Sequence, residues 1–561
     1  MVEHVLAKDE TRVRFSLAAH NRVNLKDKNL NKDLLLKIPK EVSHVTDTLE
    51  KAGFEAYLVG GCVRDLLMSE ILSENEANKE PKDWDITTNA KPEQITELFE
   101  KTVYENEFGT VMVIQEDVSQ ETLRQIEVTP YRIEAKYSDF RHPDEVKFSD
   151  NLEDDLKRRD FTVNAMALSP KGQLVDLFAG IKDIKDKTLK AVGNPEDRFT
   201  EDALRMLRAV RFSCQLNFSV GYETMESILK NSDLIKKISA ERIRDEFVKI
   251  IMSSNGASGI VMLQKFNLLK NIIPELEDGI DCEQGGEHIY DVWNHLLHAL
   301  SHAADKNWPL EIRLAALFHD IGKPKSRRLA EADGLALRRS HTILEGQDNS
   351  LSQRILLQAN PSASKKKFTF YGHEVVSARM TRKIMERLKF PKKETELVEK
   401  LVRNHMFFSD TELITLSAVR RIITKVGVEN IWLLMNVREC DRVGMKKKEA
   451  PYRLRKYFAM IEEALHDPIS VGQLKIDGEF MIKELGIKPG PRMGWILSAL
   501  LEEVLDAPEK NTENHLSGLV KSLNMLGDAE LKTLGERGKE KKEKLEEEEV
   551  TKLHEKHGVR K

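Results

Sequence analysis

Two aspartates one residue apart, Asp83 and Asp85, follow a hydrophobic run that ends in a glycine pair, Leu58-Val-Gly-Gly-Cys-Val-Arg-Asp65. A glycine pair after a strand lets backbone amides approach a phosphate, and paired carboxylates supply hard oxygen ligands for magnesium. Side chains at i and i+2 of a strand share a face, so Asp83 and Asp85 would meet one pair of magnesium ions. Gly60, Gly61 and Arg64 would face the phosphates. Glu127, in the run Ile126-Glu-Val-Thr, reads as a third carboxylate for the attacking group, or equally as an exposed strand glutamate partnered by Arg132. In Arg158-Arg-Asp-Phe-Thr-Val-Asn-Ala165, the arginine pair, Arg158 first, and Asn164 would donate to a triphosphate and Asp160 would bond a ribose hydroxyl. Alone, that string reads as a capped helix with Asp160 as its N-cap. Together the three strings point to magnesium-dependent chemistry on a nucleoside triphosphate.

A second set, His295, His319, Asp320, His373, His405 and Asp441, combines imidazoles with carboxylates, which suits a transition metal. Leu314-Ala-Ala-Leu-Phe-His-Asp-Ile-Gly-Lys323 sets its His-Asp pair at the end of an apolar helix. Any one of these histidines has a hydrogen-bonded structural role as its commoner fate; the ordered set predicts a metal site.

Elements must hold these residues. Between about 42 and 170, short β-type runs (Ala56–Val59, Val111–Ile114, 125–129) alternate with helical segments, predicting a small mixed α/β domain. Beyond about 195 the pattern is helix after helix, for example 202–212, 241–252 and 311–319. At 561 residues the chain holds several domains. Residues 329–370 are polar and lysine-dotted and read as a long loop; 537–549 alternates basic and acidic blocks and reads as a solvated helix or disordered tail. The four cysteines are too scattered for a CxxC site. The formal net charge of -5 excludes indiscriminate polyanion binding, so nucleic acid would need a local basic patch, for which Arg438 to Lys456 is a candidate, or else a solvated helix face. With no apolar membrane-length run and no apolar signal core, a cytoplasmic protein is expected.

In order, Leu58 to Asp65, Asp83 to Thr88, Arg158 to Ala165, Glu201-Asp-Ala-Leu-Arg-Met-Leu-Arg-Ala-Val-Arg-Phe212 and Glu241-Arg-Ile-Arg-Asp-Glu246 resemble the motifs of class II tRNA nucleotidyltransferases and bacterial poly(A) polymerases, nearest the bacterial CCA-adding members. The resemblance implies an α+β protein: a polymerase-β-like nucleotidyltransferase head (42–170) after an N-terminal extension (1–41), a helical neck (171–275) that reads base and RNA, an HD domain (276–450) with an insert (329–370), a helical tail (451–526) on tRNA, and a charged tail (527–561). It implies template-independent addition of C, C and A to the tRNA 3' end from CTP and ATP by two-metal magnesium chemistry. Asp83, Asp85 and Glu127 would be catalytic, and Gly60, Gly61, Arg64, Arg158, Asp160, Asn164, Asp202, Arg205 and Arg208 would bind nucleotide. Three apart on a helix, Asp202 and Arg205 would imitate a Watson-Crick edge, or would form an ordinary ion pair. Tyr131 to Val146 resembles the flexible loop of full CCA enzymes. At the HD set the resemblance implies nickel, manganese, iron or cobalt and a phosphohydrolase acting on RNA ends, a repair chemistry. A poly(A) polymerase, and a protein whose main activity is HD phosphodiesterase, are the competing readings, and oligomeric state is left open.

Overall fold

The computed structural model describes residues 32–556 apart from 73–80, 82, 106–108, 117, 119, 136–144, 286–287, 330–367, 407–415, 446–450 and 466–473. It divides into two compact units, one to Arg403 and one from Asn404.

In the first unit, nine short strands form the head: β1 (Ala56–Val59), β2 (Asp85–Thr88), β3 (Thr102–Glu105), β4 (Thr110–Ile114), β5 (Gln125–Pro130), β6 (Arg132–Ala135), β7 (Glu145–Phe148), β8 (Met166–Leu168) and β9 (Leu174–Asp176). Seven of them make one sheet in the order β3-β4-β5-β2-β1-β8-β9, and β6 with β7 forms a separate antiparallel pair. Within the large sheet β2 and β5 run parallel and the other neighbours antiparallel. The register decides what meets what: Asp85 lies opposite Val59 on one side and opposite Glu127 on the other. The α+β expectation for the head is met, with β1, β4 and β5 where the hydrophobic runs predicted them.

The glycine pair ends β1 and starts the helix Gly61–Ile71, with Gly60 as its N-cap at φ 79. Cys62, Val63, Leu66 and Leu67 of that helix are buried together with Leu58 and Val59. Helices Pro195–Glu201, Leu204–Leu216, Ala240–Ile251 and Gly256–Lys265 follow, as the helical pattern predicted. A parallel pair, β10 (Thr188–Leu189) with β11 (Ser219–Val220), lies among them. Next come Val292–Asp305, Leu310–Phe318 and His373–Arg387. Between the last two, β12 (Arg328–Leu329) pairs antiparallel with β13 (Phe368–Thr369), and the Arg327 guanidinium stacks 3.7 Å over the Phe368 ring. The insert expected at 329–370 lies outside the described residues but for its ends, as does 136–144, the apex of the loop from Tyr131.

One reading from sequence is corrected here. The helix expected over 202–212 begins at Leu204, because Asp202 is extended (φ -139, ψ 103) and ends the preceding helix.

The second unit is helical, and its core joins Ile496, Leu500 and Val504 of Pro491–Asp506 with Leu516, Val520 and Leu531. Its last helix, Asp528–Lys556, starts earlier than the charged stretch suggested, and its leading part is packed. Leu531, Leu534, Gly535 and Gly538 recur at helical spacing and form a face against Pro491–Asp506. The fit is close: a Cβ on Gly538 would lie 2.2 Å from the Ser498 carbonyl oxygen. Arg537 pairs with Glu502 at 2.8 Å. Alternating charges hid that face. Arg438, placed in the candidate basic patch, is buried and donates to Asp441 at 2.7 Å; Lys446, Lys447 and Lys448 lie outside the described residues.

Candidate functional site

The candidate carboxylate row is built at the carboxyl end of β1 and the start of β2. A strand that stops at Val59 needs a turn with positive φ, which glycine adopts without cost. Gly60 also leaves space, for a Cβ there would lie 3.2 Å from Asp85 Oδ2 and 3.2 Å from Arg159 Nη1. Asp85 is thus packed under the turn, with Glu127 beside it on β5 and Asp83 exposed just before β2. Burial pushes the Asp85 carboxyl above its usual range; Arg159 opposes that and Asp83 adds to it. A buried carboxylate with a second one close by offers the hard oxygens that a magnesium ion takes. Under the same turn the Cys62 thiol is pushed up to about 12 by burial and by Asp85. It is no nucleophile at neutral pH.

Behind the turn runs a chain of charged hydrogen bonds. Arg64 donates to Asp65 and, from Nη1, to Asn164 Oδ1 at 2.8 Å. Asn164 Nδ2 reaches Asp160 Oδ1 at 3.3 Å, and Phe161 N donates to the same oxygen at 2.8 Å. Arg208 closes on Asp160 Oδ2 with Nε at 2.7 Å and Nη2 at 2.6 Å. All four acceptor directions of the carboxylate are taken, so a ribose hydroxyl would have to replace one of them. Burial alone would raise the Asp160 pKa, but Arg208 and then Arg205 outweigh it and hold it down to about 2.

Arg64, Arg208 and Arg211 surround the Phe212 ring, with their guanidinium carbons 5.4, 5.3 and 4.1 Å from its centroid. Arg211 also pairs with the buried Glu246 at 2.9 Å. Burial, with Arg208 next to it, lowers Arg211 to about 10.

Asp202 and Arg205 each hold another partner. Arg205 takes Glu201 at 3.2 Å, whereas Asp202 accepts from Leu204 N at 3.0 Å and from Arg242 Nη2 at 2.7 Å. Both carboxylate oxygens are therefore fixed from two helices, Leu204–Leu216 and Ala240–Ile251.

Sequence reasoning named an arginine pair without telling its members apart and passed over Arg211. Arg158, named first, holds Asp155 Oδ1 through Nε and Nη2; its neighbour Arg159 turns toward Asp85 while Nη2 holds Asp155 Oδ2 at 3.1 Å. An adjacent pair gives no sign of which member points inward. Arg211 was legible, since 205, 208 and 211 repeat at the three-residue spacing of one helical face.

In the same unit, His295, His319, Asp320 and His373 are all buried and converge. The Nε2 atoms of His295 and His319 are 3.0 Å apart, and each is 3.4 Å from Asp320 Oδ2; His373 Nε2 is 3.2 Å from Oδ1. Nδ1 of His319 donates to Ala316 O and Nδ1 of His373 to Phe370 O, each at 2.8 Å. Those bonds place the proton on Nδ1 and leave the Nε2 lone pairs aimed inward, as a metal-binding imidazole requires. Burial would raise Asp320, but Lys323 and then His319 hold it well below the usual carboxylate range. His405 and Asp441 lie in the second unit, both buried.

Residues 56–190 match the family model of the poly A polymerase head domain, 217–280 the RNA and SrmB-binding site of polymerase A, 286–442 the HD domain and 373–520 tRNA nucleotidyltransferase domain 2. The chain is 49% identical over 212 residues to a CCA-adding enzyme of Lactobacillus delbrueckii subsp. bulgaricus, covering 38% of this chain and 50% of that one. With the CCA-adding enzyme of Enterococcus faecalis it shares 47% over 222 residues, 39% and 51% of the two chains. The chain spans about half the length of the curated relatives it matches. A solved CCA-adding enzyme of Bacillus stearothermophilus, in complex with CTP, shares the fold at a TM-score of 0.54 and 23% identity, over 86% of this chain and 97% of that one. Among the described residues no helix is long and apolar enough to cross a membrane.

Proposed function

Because the chain belongs, through its head, to the family of tRNA nucleotidyltransferases and poly(A) polymerases, we propose that it adds C, C and A to the tRNA 3' end from CTP and ATP without a template. One observation carries the reading: Asp85 stands under the Gly60 turn, with Glu127 in register beside it and Arg159 against it.

Asp83 and Asp85 would hold magnesium, which would supply Lewis-acid activation of the attacking 3' hydroxyl and charge relief at the leaving pyrophosphate. Glu127 orients that hydroxyl. The amides after Gly60, with Gly61, Arg64, Arg158 and Arg159, hold the triphosphate, and a ribose hydroxyl takes the place of one donor on Asp160, beside Asn164. Asp202 and Arg205 read the base edge, with Arg208 and Arg211 around Phe212 completing the nucleotide pocket. Arg242 fixes Asp202 from the neck, so base choice depends on how that helix is seated.

The hairpin of β6 and β7 favours a CCA enzyme over a poly(A) polymerase. It is the base of the loop that resembles that of full CCA enzymes, and Tyr131 anchors it by donating to Glu55 Oε2 at 3.0 Å. A head of 42–170, neck of 171–275, HD domain of 276–450 and tail of 451–526 belong to the same proposal, as does a cytoplasmic location. His295, His319, Asp320 and His373 are proposed as ligands of a transition metal with phosphohydrolase activity on RNA ends. The 3' sequence made on tRNA lacking CCA decides the main reading. With CTP and ATP together the product ends in CCA and stops; long A runs from ATP alone would instead make this a poly(A) polymerase.

A further inference from the structure

We propose that Lys323 is an internal counter-cation of the His295, His319, Asp320 and His373 cluster, which a divalent metal must displace from Asp320, so that Lys323 sets the metal affinity of the centre. The proposal rests on reading that cluster as a metal site.

Lys323 is buried, and its ammonium nitrogen lies 2.5 Å from Asp320 Oδ2. That oxygen is the one faced by Nε2 of His295 and His319, each at 3.4 Å. The corner where two imidazoles and a carboxylate oxygen would hold a cation therefore already has one. Lys323 stands three residues after Asp320, beyond the helix Leu310–Phe318, so chain geometry keeps it within reach.

The ammonium has a second place to rest. It is 2.5 Å from Gln284 Oε1 and 3.5 Å from His288 Nε2, both on the segment before the helix Val292–Asp305. Gln284 is itself fixed, its Nε2 donating to the carbonyls of Tyr290 and Asp291 at 3.2 Å each. An ammonium that swings away from Asp320 thus keeps two of its three partners.

Electrostatics make the two cations alternatives. A carboxylate as buried as Asp320 needs a compensating positive charge, and Lys323 supplies it when no metal is bound. A divalent ion at Oδ2 would be repelled at close range by an ammonium on the same oxygen. Metal entry is an exchange of cations. Two consequences follow: the metal-free centre keeps its fold, and its apparent affinity for metal is lower than its ligands alone would give.

The test uses the full chain and its Lys323→Met and Lys323→Gln variants, with Mn2+ alone as probe, titrated calorimetrically with the signal of an Asp320→Ala chain, which keeps only the Asp83 and Asp85 site, subtracted, and followed by melting in EDTA and in Mn2+. Nucleotide addition by the head checks that each variant folds. Both neutral variants should bind Mn2+ at least tenfold more tightly than the parent, about 1.4 kcal/mol. In EDTA they should melt below it, and Mn2+ should close the gap. Lys323→Arg, which retains a cation, should bind no more tightly than the parent. Equal or weaker Mn2+ binding by both neutral variants, while the parent binds the ion, overturns the role of Lys323 and leaves the metal site standing. No Mn2+ binding by parent or variant overturns the metal reading itself and this proposal with it.

Discussion

Replacing Asp160 by Asn tests whether the charged chain behind the glycine turn holds the head to the helix Leu204–Leu216. The carboxylate accepts four hydrogen bonds, two of them from Arg208. An amide keeps one acceptor and presents an N–H, so whichever way it turns, one of Arg208 and Phe161 N meets a donor. The magnitude follows from the pKa, which falls from 3.8 to about 2 in the folded chain. A shift of roughly two units is worth about 2–3 kcal/mol at neutral pH. The sign is fixed by the depression: this stability is fully present above the unfolded value near 4 and is lost as pH falls through the folded value near 2. Hydrogen exchange of the Leu204–Leu216 amides reads local opening directly. Asp160→Asn should lose about 30- to 100-fold of protection at pH 7. The gap should hold down to about pH 4 and close below it. Protection within about twofold of the parent at pH 7, or a gap unchanged at pH 2.5, would refute the reasoning.

Asp85→Ala and Asp83→Ala should each abolish nucleotide addition while tRNA binding, read by filter retention, stays within about threefold of the parent; persistence of addition in both would remove the two-metal assignment. Gly60→Ala puts a methyl against Asp85 and Arg159 at φ 79. It should cost about 1–3 kcal/mol of stability and lower kcat more than it raises KM for CTP. Gly538→Ala forces the last helix off the Ser498 carbonyl and should lower the melting of the second unit by about 1–3 kcal/mol without touching single-nucleotide addition to a minihelix.

Much of the head was legible because a few residues carry obligate geometry. A hydrophobic run that stops at a glycine pair has little choice but to turn there, and Gly60 takes the positive φ that this implies. Strand alternation placed Glu127 on β5, though nothing in the sequence gave its register against Asp85. Asp202 was misplaced for a chemical reason. Its side chain competes for the amide of Leu204 and starts a new helix there, while the surrounding pattern reads as one continuous helix. Which of Arg158 and Arg159 turns inward, and the part played by Lys323, were not legible, since side-chain direction there is set by tertiary partners such as Asp155 and Gln284. The packed face of the last helix was obscured by dense charge, although Leu531, Leu534, Gly535 and Gly538 carried its period.

The clasp of β12 with β13 bears on how this chain tolerates change. Leu329 and Phe368 are cross-strand partners, so the described chain before residue 330 and after residue 367 ends at neighbouring points. Lengthening or shortening the segment between them alters closure entropy by only about 0.6 kcal/mol per doubling of its length. Sequence can therefore be gained or lost there with the spacing between His319-Asp320 and His373 undisturbed. The clasp is a splice socket: an affinity tag or a whole fluorescent domain grafted between Leu329 and Phe368 should leave both proposed activities at the parent's level.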